Sequence, residues 1–483
     1  MEIPKEVKEI NQKLVDSGFE AYLVGGCVRD FLLDKKPKDW DLTTNARPEE
    51  IQKIFPDSVY ENKFGTVGVK TGADNFSLAL VEVTTFRKEG KYTDKRHPDE
   101  ITFAKTVEED LSRRDFTINA LALDLKKNKV IDPFGGQKDL KAKIIRTVGD
   151  ASERFKEDAL RLMRAVRFAA QLGFSINQDT ALAIKERSAL LEFIAKERIA
   201  DELNKIIMTD NAAEGIRQME RLGVLKFVLP EVLEGIDVTQ NKHHIYTVFD
   251  HCLKALEYAA KNDFNLETRL ASLLHDVGKP RTKGGDGPNS TFYGHQVIGE
   301  RMAIKTLDRL HYPKKAVERI ALLIREHMFV YDPETVTLAG VRRLVRRTGL
   351  ENIEDLLKLR EADRIGSGVP KAQPYRLRYL KAMIEKVKKD PISAKMVVIK
   401  GGDVMEILKI EPGPKIGWIL SVLLEEVLDE PKFNDNDYLS KRIKELGALN
   451  DKELMELAAK AKLSALDAQR RIDDEIKQKY FVK

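Results

Sequence analysis

Two aspartates, Asp39 and Asp41, lie two positions apart near the start of the chain. Alternate residues of an extended segment point to the same face, so these two carboxylates would stand side by side. Like charges that close are unfavourable unless a cation lies between them, and oxygen ligands of this kind suit Mg²⁺, which usually shares its shell with substrate phosphates. The spacing therefore predicts a magnesium site for phosphate chemistry, with a pair of solvated turn aspartates as the alternative.

A glycine turn just upstream favours the functional interpretation. Gly25 and Gly26 follow a short apolar strand, Ala21–Val24, and precede a predicted helix that contains Arg29. Glycine lets the backbone approach a phosphate closely, and the N-terminus of the next helix favours an anion. Arg29 lies in the first turn of that helix, where it can pair with a phosphate oxygen.

A second set of candidate ligands lies in the middle of the chain. It combines imidazoles with carboxylates: His251, His275, Asp276, His295, His327 and Asp363. Such a combination suits a divalent transition metal better than Mg²⁺. Apolar neighbours flank the adjacent pair His275-Asp276, and a buried carboxylate needs a cationic partner. Any one of these histidines alone would be an ordinary helix residue, but the ordered set predicts a metal site.

Composition limits the class of protein. The chain has 483 residues, of which 42% are hydrophobic and 33% charged, and its net charge is +5. This length predicts about three or four domains. The first residues lack an apolar signal segment, no apolar run is long enough to span a membrane, and the two cysteines have no metal-ligand spacing. We therefore expect a cytoplasmic protein without a membrane partner, either a monomer or a homodimer.

The elements that must position these residues change character along the chain. Strand-like runs alternate with short helices up to about residue 145, whereas from Ser152 onward apolar residues recur at helical spacing. The expected fold class is multidomain α+β, with a small mixed α/β head followed by a mostly α-helical neck, metal-binding domain and tail. The predicted domain limits are 1–145, 146–240, 241–370 and 371–483. Predicted elements include a strand at 118–125 and helices over 154–172, 178–208 and 403–428.

The motifs of the head carry a family resemblance. Gly25-Gly26-x-Val28-Arg29-Asp30, followed by Asp39-Trp40-Asp41, resembles the nucleotidyltransferase superfamily that includes DNA polymerase β. It more closely resembles the class II CCA-adding and bacterial poly(A) polymerase family. The resemblance implies that Asp39 and Asp41 are catalytic and hold two Mg²⁺ ions, with Glu82 as a third carboxylate. It also implies that Gly26 and Arg29 bind the nucleotide.

A second head motif, Arg113-Arg114-Asp115-Phe116-Thr117-Ile118-Asn119-Ala120, is similar to one of the same family. The resemblance implies that Arg114 neutralises the triphosphate and that Asp115 accepts a hydrogen bond from a ribose 2′-hydroxyl, which would favour ribonucleotides. A cluster of structural salt bridges is the alternative. The turn Asp132-Pro133-Phe134-Gly135-Gly136 resembles a family hinge between head and neck.

Glu157-Asp158-x-x-Arg161 resembles the motif with which that family reads nucleobases. Asp158 and Arg161 are three residues apart and would share a helix face, and Arg164 and Arg167 continue the row. Cytosine and adenine both present an amine beside a ring-nitrogen acceptor, which suits a carboxylate next to a guanidinium. Uracil and guanine present a carbonyl in place of the amine. We expect these residues to bind the nucleotide, with an exposed ion-pair face as the alternative.

The motif Leu273-Leu274-His275-Asp276-Val277-Gly278-Lys279 resembles the HD phosphohydrolase superfamily. The resemblance implies one metal on His251, His275, Asp276 and Asp363, and a second on His295 and His327. A metal there would activate water against a phosphoester. Some bacterial CCA-adding enzymes carry such a domain, with phosphatase or 2′,3′-cyclic phosphodiesterase activity.

Together the resemblances predict a tRNA nucleotidyltransferase that adds or repairs the 3′-terminal CCA from CTP and ATP. The expected cofactors are Mg²⁺ in the head and a divalent transition metal in the HD domain, and the expected partners are tRNA, CTP and ATP. Segments 64–69 and 86–96 favour CCA addition over poly(A) synthesis, and Arg198-x-x-x-Glu202 resembles a supporting helix. Two alternatives stay open: a relative that adds only A or poly(A), and an HD phosphohydrolase whose head merely binds nucleotide or RNA.

Overall fold

A computed structural model describes residues 2–60, 65–89, 101–241, 245–285, 287–388 and 397–461. The chain divides into two compact units. The first unit comprises Met1–Asp237, Ala260–Arg269 and Lys305–Lys314, and the second comprises Val238–Ala259, Leu270–Ile304 and Lys315–Lys483. Phe64 and most of the predicted loop at 86–96 lie outside the described residues.

Strands of the described residues concentrate in the head. They are β1 (Ala21–Val24), β2 (Asp41–Thr44), β3 (Ser58–Tyr60), β4 (Thr66–Lys70), β5 (Leu80–Thr85), β6 (Arg87–Glu89), β7 (Ile101–Phe103), β8 (Ala122–Asp124), β9 (Lys129–Ile131), β10 (Ile144–Ile145) and β11 (Ser175–Ile176). Seven of them form one sheet in the order β3-β4-β5-β2-β1-β8-β9. β2 lies at its centre, antiparallel to β1 and parallel to β5.

Alternating burial aims the acidic side chains out of the core. Along β5, Val81 and Val83 are buried, whereas Glu82 between them is exposed, as the two-residue period of a strand requires. Trp40 is buried just before β2, and the aspartate on its N-terminal side is exposed. The register of β2 on β5 then pairs Asp41 with Glu82.

The predicted strand at 118–125 is wrong at its start. Residues Thr117–Asn119 form a 3-10 turn, and only Ala122–Asp124 are extended. The turn forms because the Thr117 hydroxyl donates to the buried Asp139 carboxylate at 2.7 Å, while the carbonyl of Thr117 accepts from the Ala120 amide. Side-chain hydrogen bonds of this kind compete with a strand ladder.

Helices make up most of the remainder of the first unit. They are α1 (Lys5–Asp16), α2 (Gly26–Leu32), α3 (Pro48–Ile54), α4 (Phe76–Ala79), α5 (Val107–Ser112), α6 (Gly136–Ala142), α7 (Ala151–Glu157), α8 (Leu160–Leu172), α9 (Gln178–Arg187), α10 (Lys196–Ile207), α11 (Ala212–Arg221), α12 (Leu225–Val228) and α13 (Pro230–Leu233). In the neck, α8 packs against both α10 and α11.

Two helices predicted to be continuous are broken, which corrects the sequence analysis. The segment 154–172 is interrupted at Asp158, which is extended and whose carboxylate accepts from the Leu160 amide at 3.0 Å. That bond satisfies an amide at the start of α8. The segment 178–208 is interrupted by a 3-10 turn, Ser188–Phe193, before α10 begins.

The second unit is helical in its described residues. Its helices are α14 (Val248–Lys261), α15 (Leu266–Leu274), α16 (Lys279–Thr282), α17 (His295–Arg309), α18 (Lys314–Glu326), α19 (Leu338–Thr348), α20 (Ile353–Gly366), α21 (Tyr375–Val387), α22 (Gly401–Leu408), α23 (Pro414–Asp429) and α24 (Asn436–Gly447). The division assigns the terminal residues of α14, α15, α17 and α18 that fall within Ala260–Arg269 and Lys305–Lys314 to the first unit. Residues 451–461 are also helical.

The tail builds a core of its own. Buried residues of its helices, including Val404, Ile419, Leu423 and Ile443, form one apolar cluster. The helix predicted over 403–428 is broken before Pro414, because proline is favoured at the first position of a helix and cannot continue one. Among the described residues, none of the helices is both long and apolar enough to cross a membrane. The predicted fold class is confirmed.

Candidate functional site

Three carboxylates meet at the centre of the head sheet. Asp39 is exposed just before β2, Asp41 begins β2, and Glu82 lies beside Asp41 on β5. Burial raises the pKa of Asp41 to about 7, and the charges of Asp39 and Glu82 add to the rise, whereas Arg114 opposes it. Negative charge is therefore crowded at this point of the sheet, which is the condition that a divalent cation relieves. The structure places Asp41 opposite Glu82 in the sheet register, with Asp39 near enough for its charge to raise the pKa of Asp41.

The glycine turn lies next to this cluster. Gly25 has φ +80°, in the region that favours glycine, and its amide donates to the Leu121 carbonyl at 3.1 Å. A Cβ at Gly25 would lie 2.8 Å from Nη1 of Arg114. The missing side chain therefore lets the guanidinium of Arg114 lie against the turn, and Gly26 begins α2 directly after it.

Arg29 is buried rather than presented to solvent. Its Nε donates to Asp30 at 2.8 Å and its Nη1 donates to Oδ1 of Asn119 at 2.7 Å. Asn119 belongs to the Arg113–Ala120 motif, but no role for its side chain was predicted from the sequence. In this structure the guanidinium of Arg29 orients Asp30 and Asn119 through these hydrogen bonds. A direct contact between Arg29 and a phosphate stays a prediction.

Asp115 is held as a permanently charged acceptor. Its Oδ2 accepts from Nε of Arg164 at 2.8 Å, and its Oδ1 accepts from the Phe116 amide at 2.9 Å and from Asn119 at 3.3 Å. Burial would raise the pKa of Asp115, but the charge and hydrogen bonds of Arg164 outweigh it and lower the pKa to about 2. A carboxylate in this state can accept from a hydroxyl but cannot donate to one.

The two residues predicted to read the base have separate partners. Asp158 lies in the break between α7 and α8, and its Oδ2 pairs with Nη2 of Arg198 at 2.8 Å. Arg161 lies in α8 and pairs with Glu157, and its Nη1 also donates to the Arg154 carbonyl at 3.3 Å. The expectation that Asp158 and Arg161 share one helix face is corrected, because the capping bond at Asp158 ends the helical geometry there.

The remaining arginines of this row point to different elements. Arg164 pairs with Asp115 of the head, whereas Nη1 of Arg167 donates to Glu202 of α10 at 2.8 Å. Arg167 also lies over the Phe168 ring, 4.3 Å from its centroid. Helix α10 therefore contacts the neck motif twice, through Arg198 and Glu202, as expected for a supporting helix.

The predicted hinge is a capped turn. The carboxylate of Asp132 accepts from the amides of Gly136 and Gln137 at 2.7 and 2.9 Å and so caps α6. Gly135 has φ +74°, and a Cβ at Gly136 would lie 2.2 Å from the Thr117 carbonyl oxygen. Both glycines are thus required by the backbone, and a hinge motion here stays a prediction.

The second unit gathers all six predicted HD ligands into one buried cluster. Nε2 of His251 lies 2.9 Å from Nε2 of His275, 3.0 Å from Asp276 and 3.4 Å from Asp363. On the other side of Asp276, Nε2 of His295 lies 3.4 Å away. Asp276 therefore stands between two groups of candidate ligands, one with His251 and His275 and one with His295 and His327.

Backbone carbonyls orient three of the imidazoles. Nδ1 of His275, His295 and His327 lies 2.9, 2.7 and 2.7 Å from the carbonyl oxygen three residues earlier in each case. A hydrogen bond from Nδ1–H leaves the Nε2 lone pair available, which is the usual arrangement of a metal-binding histidine. The ends of the surrounding helices place these rings, since His295 begins α17 and His275 directly follows α15.

The electrostatics of the cluster favour a cation. Burial would raise the pKa of Asp276, but Lys279 and His275 hold it well below its usual range. Burial lowers the pKa of His295 to about 4 and that of His327 to about 3, so both rings are neutral and able to bind a metal. Neither oxygen of Asp276 accepts a regular hydrogen bond among the described residues. The residues therefore fit a divalent metal.

Lys279 belongs to the HD motif, whereas two further supporting residues of this cluster, Gln240 and Arg360, were not identified from the sequence. Nζ of Lys279 lies 2.6 Å from Asp276 and donates to the side chain of Gln240 at 2.7 Å. Nη1 of Arg360 donates to Asp363 at 2.5 Å. Gln240 precedes His275 of the HD motif by 35 positions, and Arg360 lies one helical turn before Asp363. Only the folded chain makes these contacts visible.

Three family models match the chain. The poly A polymerase head domain matches residues 21–146, the probable RNA and SrmB-binding site of polymerase A matches residues 173–235, and the HD domain matches residues 248–367. The sheet, the glycine turn and the carboxylates thus belong to a nucleotidyltransferase head, and the histidine cluster belongs to an HD domain.

Relatives extend this match over most of the chain. An A-adding tRNA nucleotidyltransferase of Deinococcus radiodurans is 34% identical over 84% of this chain and 91% of its own length. A CCA-adding enzyme of Lactococcus lactis is 33% identical over 91% of this chain and 97% of its own length. The crystal structure of the Bacillus stearothermophilus CCA-adding enzyme in complex with CTP is 29% identical, with a TM-score of 0.68, and covers 92% of this chain and 98% of its own. The chain belongs to the class II CCA-adding family of tRNA nucleotidyltransferases and carries an HD domain.

Proposed function

We propose that this enzyme adds the complete 3′-terminal CCA to tRNA, using CTP for both cytidines and ATP for the adenosine. The observation that carries the proposal is the meeting of Asp39, Asp41 and Glu82 beside the glycine turn, on a fold shared with a CCA-adding enzyme that binds CTP. The Lactococcus relative, named for CCA addition, supports the same function over nearly the whole chain.

The three head carboxylates would hold two Mg²⁺ ions in this proposal. Such a pair of ions activates an attacking 3′-hydroxyl and stabilises the leaving pyrophosphate of an in-line displacement. Arg114, lying against Gly25, neutralises the triphosphate that approaches the turn. Asp115, fixed by Arg164, accepts from the ribose 2′-hydroxyl and so favours ribonucleotides over deoxynucleotides.

Asp158 and Arg161 read the base in the same proposal. A carboxylate accepts from the exocyclic amine of cytosine or adenine while a guanidinium donates to the ring nitrogen, and a carbonyl at the amine position is rejected. Both side chains must then exchange their present partners, Arg198 and Glu157, for the base. Arg164 and Arg167 hold α8, the helix that carries Arg161, between the head and α10.

We further propose that the HD domain is a metal-dependent phosphohydrolase, acting as a phosphatase or a 2′,3′-cyclic phosphodiesterase. The buried cluster around Asp276 supports it, because imidazoles and two carboxylates suit a divalent transition metal. When bound, such an ion supplies a nucleophilic water. Lys279, hydrogen-bonded to Gln240 beside Asp276, is placed to meet a phosphate oxygen.

The domain assignment completes the proposal. We assign 1–145 to the nucleotidyltransferase head, 146–240 to the base-reading neck, 241–370 to the HD domain and 371–483 to a tail that grips tRNA by its phosphates. The buried free thiols of Cys27 and Cys252 suit a reducing compartment, for which we propose the cytoplasm.

A narrower activity, addition of the terminal A alone, is the second candidate, because the Deinococcus relative is A-adding. An incorporation assay decides between the two. The enzyme is incubated with tRNA ending before CCA, after C and after CC, each with CTP, ATP or both. Complete addition predicts extension of all three substrates when both nucleotides are present. Extension of only the CC-ended tRNA would replace our proposal with A addition, and long A tracts would indicate poly(A) synthesis.

A further inference from the structure

Asp110 lies at the centre of a buried polar network in the head. Its side chain is completely buried at the end of α5. Its Oδ1 accepts from Nε and Nη2 of Arg113 at 3.0 and 2.9 Å and from the Arg87 amide at 3.3 Å. A carboxylate at such a depth is retained only when cations and hydrogen bonds compensate for its lost hydration.

The second oxygen of Asp110 reaches both parts of the nucleotidyl-transfer site. Oδ2 accepts from the hydroxyl of Thr43 at 3.4 Å and from Nη2 of Arg114 at 3.5 Å. Thr43 lies on β2, two positions after Asp41. One carboxylate thus connects the strand that begins with a candidate magnesium ligand to the arginine that lies against the glycine turn.

Arg114 depends on this contact for its orientation. Its Nη1 lies against Gly25, 2.8 Å from the place where a Cβ of that residue would stand. Its buried Nε has no hydrogen-bond partner among the described residues. A long side chain held at one end of its guanidinium by a single charged group loses that orientation when the group is neutralised.

We propose that Asp110 is a positioning residue for nucleotidyl transfer, which holds Arg114 against Gly25 in register with β2 so that the guanidinium meets the incoming triphosphate. Arg113 serves mainly to neutralise the buried carboxylate, since it donates two hydrogen bonds to Oδ1 of Asp110. This inference rests on the proposed role of Arg114 as a triphosphate ligand.

A double-mutant cycle on the full chain tests the proposal. Asp110→Asn keeps the shape and removes the charge. We expect the KM for CTP and for ATP to rise about tenfold to a hundredfold, the range of a lost charged hydrogen bond, with a smaller change in kcat. Arg114→Ala should raise the same KM values. In the Arg114→Ala variant, the additional change Asp110→Asn should raise the KM by less than about twofold, because Asp110 acts through Arg114.

Asp139→Asn is the matched control. Asp139 is also buried beside an arginine in the first unit, with Arg146 Nε at 3.1 Å, but it bonds to Thr117 rather than to the arginine pair. The Asp139→Asn variant should have a lower melting temperature, as Asp110→Asn does, but its KM values for CTP and ATP should stay within about twofold of the parent. Its effects should add to those of Arg114→Ala.

The outcomes separate two failures. If Arg114→Ala leaves the nucleotide KM unchanged, the assigned role of Arg114 is wrong and this inference fails with it. If Arg114→Ala raises the KM but Asp110→Asn does not, or the two effects multiply independently, only the inference is overturned. If Asp110→Asn does not fold, Thr43→Val replaces it: the lost hydroxyl should raise the KM about threefold, and that rise must vanish in the Arg114→Ala background.

Discussion

The two candidate metal sites of this chain use acidic side chains in opposite environments. In the head, Asp39 and Glu82 are exposed. In the HD domain, His251, His275 and Asp276 are at most 1% exposed. An open carboxylate site suits Mg²⁺ that binds together with a triphosphate, whose oxygens are its further ligands. Enclosed imidazoles oriented by backbone carbonyls suit an ion that remains bound to the protein. Under the proposed function, the contrast predicts that the head site is completed by its substrate and the HD site by its own chain.

The largest effect is expected from substitutions that remove a candidate magnesium ligand of the head and leave the HD domain unchanged. Asp39→Ala or Asp41→Ala should lower nucleotide incorporation into tRNA roughly a thousandfold or more, because metal stabilisation of the developing charge is worth several kcal/mol. Radiolabelled CTP incorporation measures the loss. Metal-dependent phosphohydrolysis by the same variants should be unchanged. A double variant that retains incorporation near the parent rate would show that the ions bind elsewhere.

The reciprocal change breaks the enclosed site. Asp276→Asn removes the carboxylate that stands between the two ligand groups. Elemental analysis should show that the bound metal is lost. Hydrolysis of a 2′,3′-cyclic nucleotide should fall at least a hundredfold, roughly the effect of removing one metal ligand. CCA addition should stay within about twofold. His311→Ala, a half-exposed histidine outside the cluster, is the control and should change neither the metal content nor either activity.

A smaller effect concerns the choice of base. Asp158→Asn puts an amide, which can donate as well as accept, in place of an obligate acceptor. We expect kcat/KM for UTP relative to CTP to rise about tenfold, since one mispaired polar contact is worth that much. Asp150→Asn is the matched control, because Asp150 caps α7 of the same neck through the Glu153 amide. Equal discrimination in the Asp158 and Asp150 variants would contradict a base-reading role.

The smallest effect is a pH dependence of stability. The pKa of Asp41 is raised to about 7 in the folded chain, against about 3.9 in an unfolded one. A raised pKa means that the folded state favours the protonated acid. The stability that Asp41 contributes to the folded state is therefore complete below about pH 4 and is lost as the pH rises through about 7. Mg²⁺ binds the ionised form of Asp41 and should restore the lost stability. We expect Mg²⁺ to raise Tm by about 2–5 °C more at pH 8 than at pH 5.5.

The Asp276→Asn background isolates this effect from metal binding in the HD domain. Asp39→Asn should shrink the Mg²⁺-dependent gain in Tm, because it removes both a ligand and the charge that helps to raise the pKa of Asp41. A gain in Tm that is independent of pH, or equal in the Asp39 variant, would disconnect the Asp41 carboxyl from magnesium.

Sequence reasoning succeeded where the chemistry is local. Asp39 and Asp41 are separated by one buried tryptophan, and strand alternation alone predicts that they point together. His275 and Asp276 are adjacent in a recognisable motif. It was less successful where a capping bond competes with periodicity: Asp158 interrupts a segment whose apolar spacing indicates one helix, because its carboxylate satisfies the Leu160 amide.

By itself, the sequence determined the class of fold and the family and predicted two sets of candidate metal ligands, because each depends on short motifs and their order. Only the tertiary structure decided which charges neutralise each other. Arg198 bonds to Asp158 across 40 positions and Arg164 to Asp115 across 49. Side chains so far apart in sequence are paired by the cost of burying an uncompensated charge, and that cost exists only once the chain has folded around them.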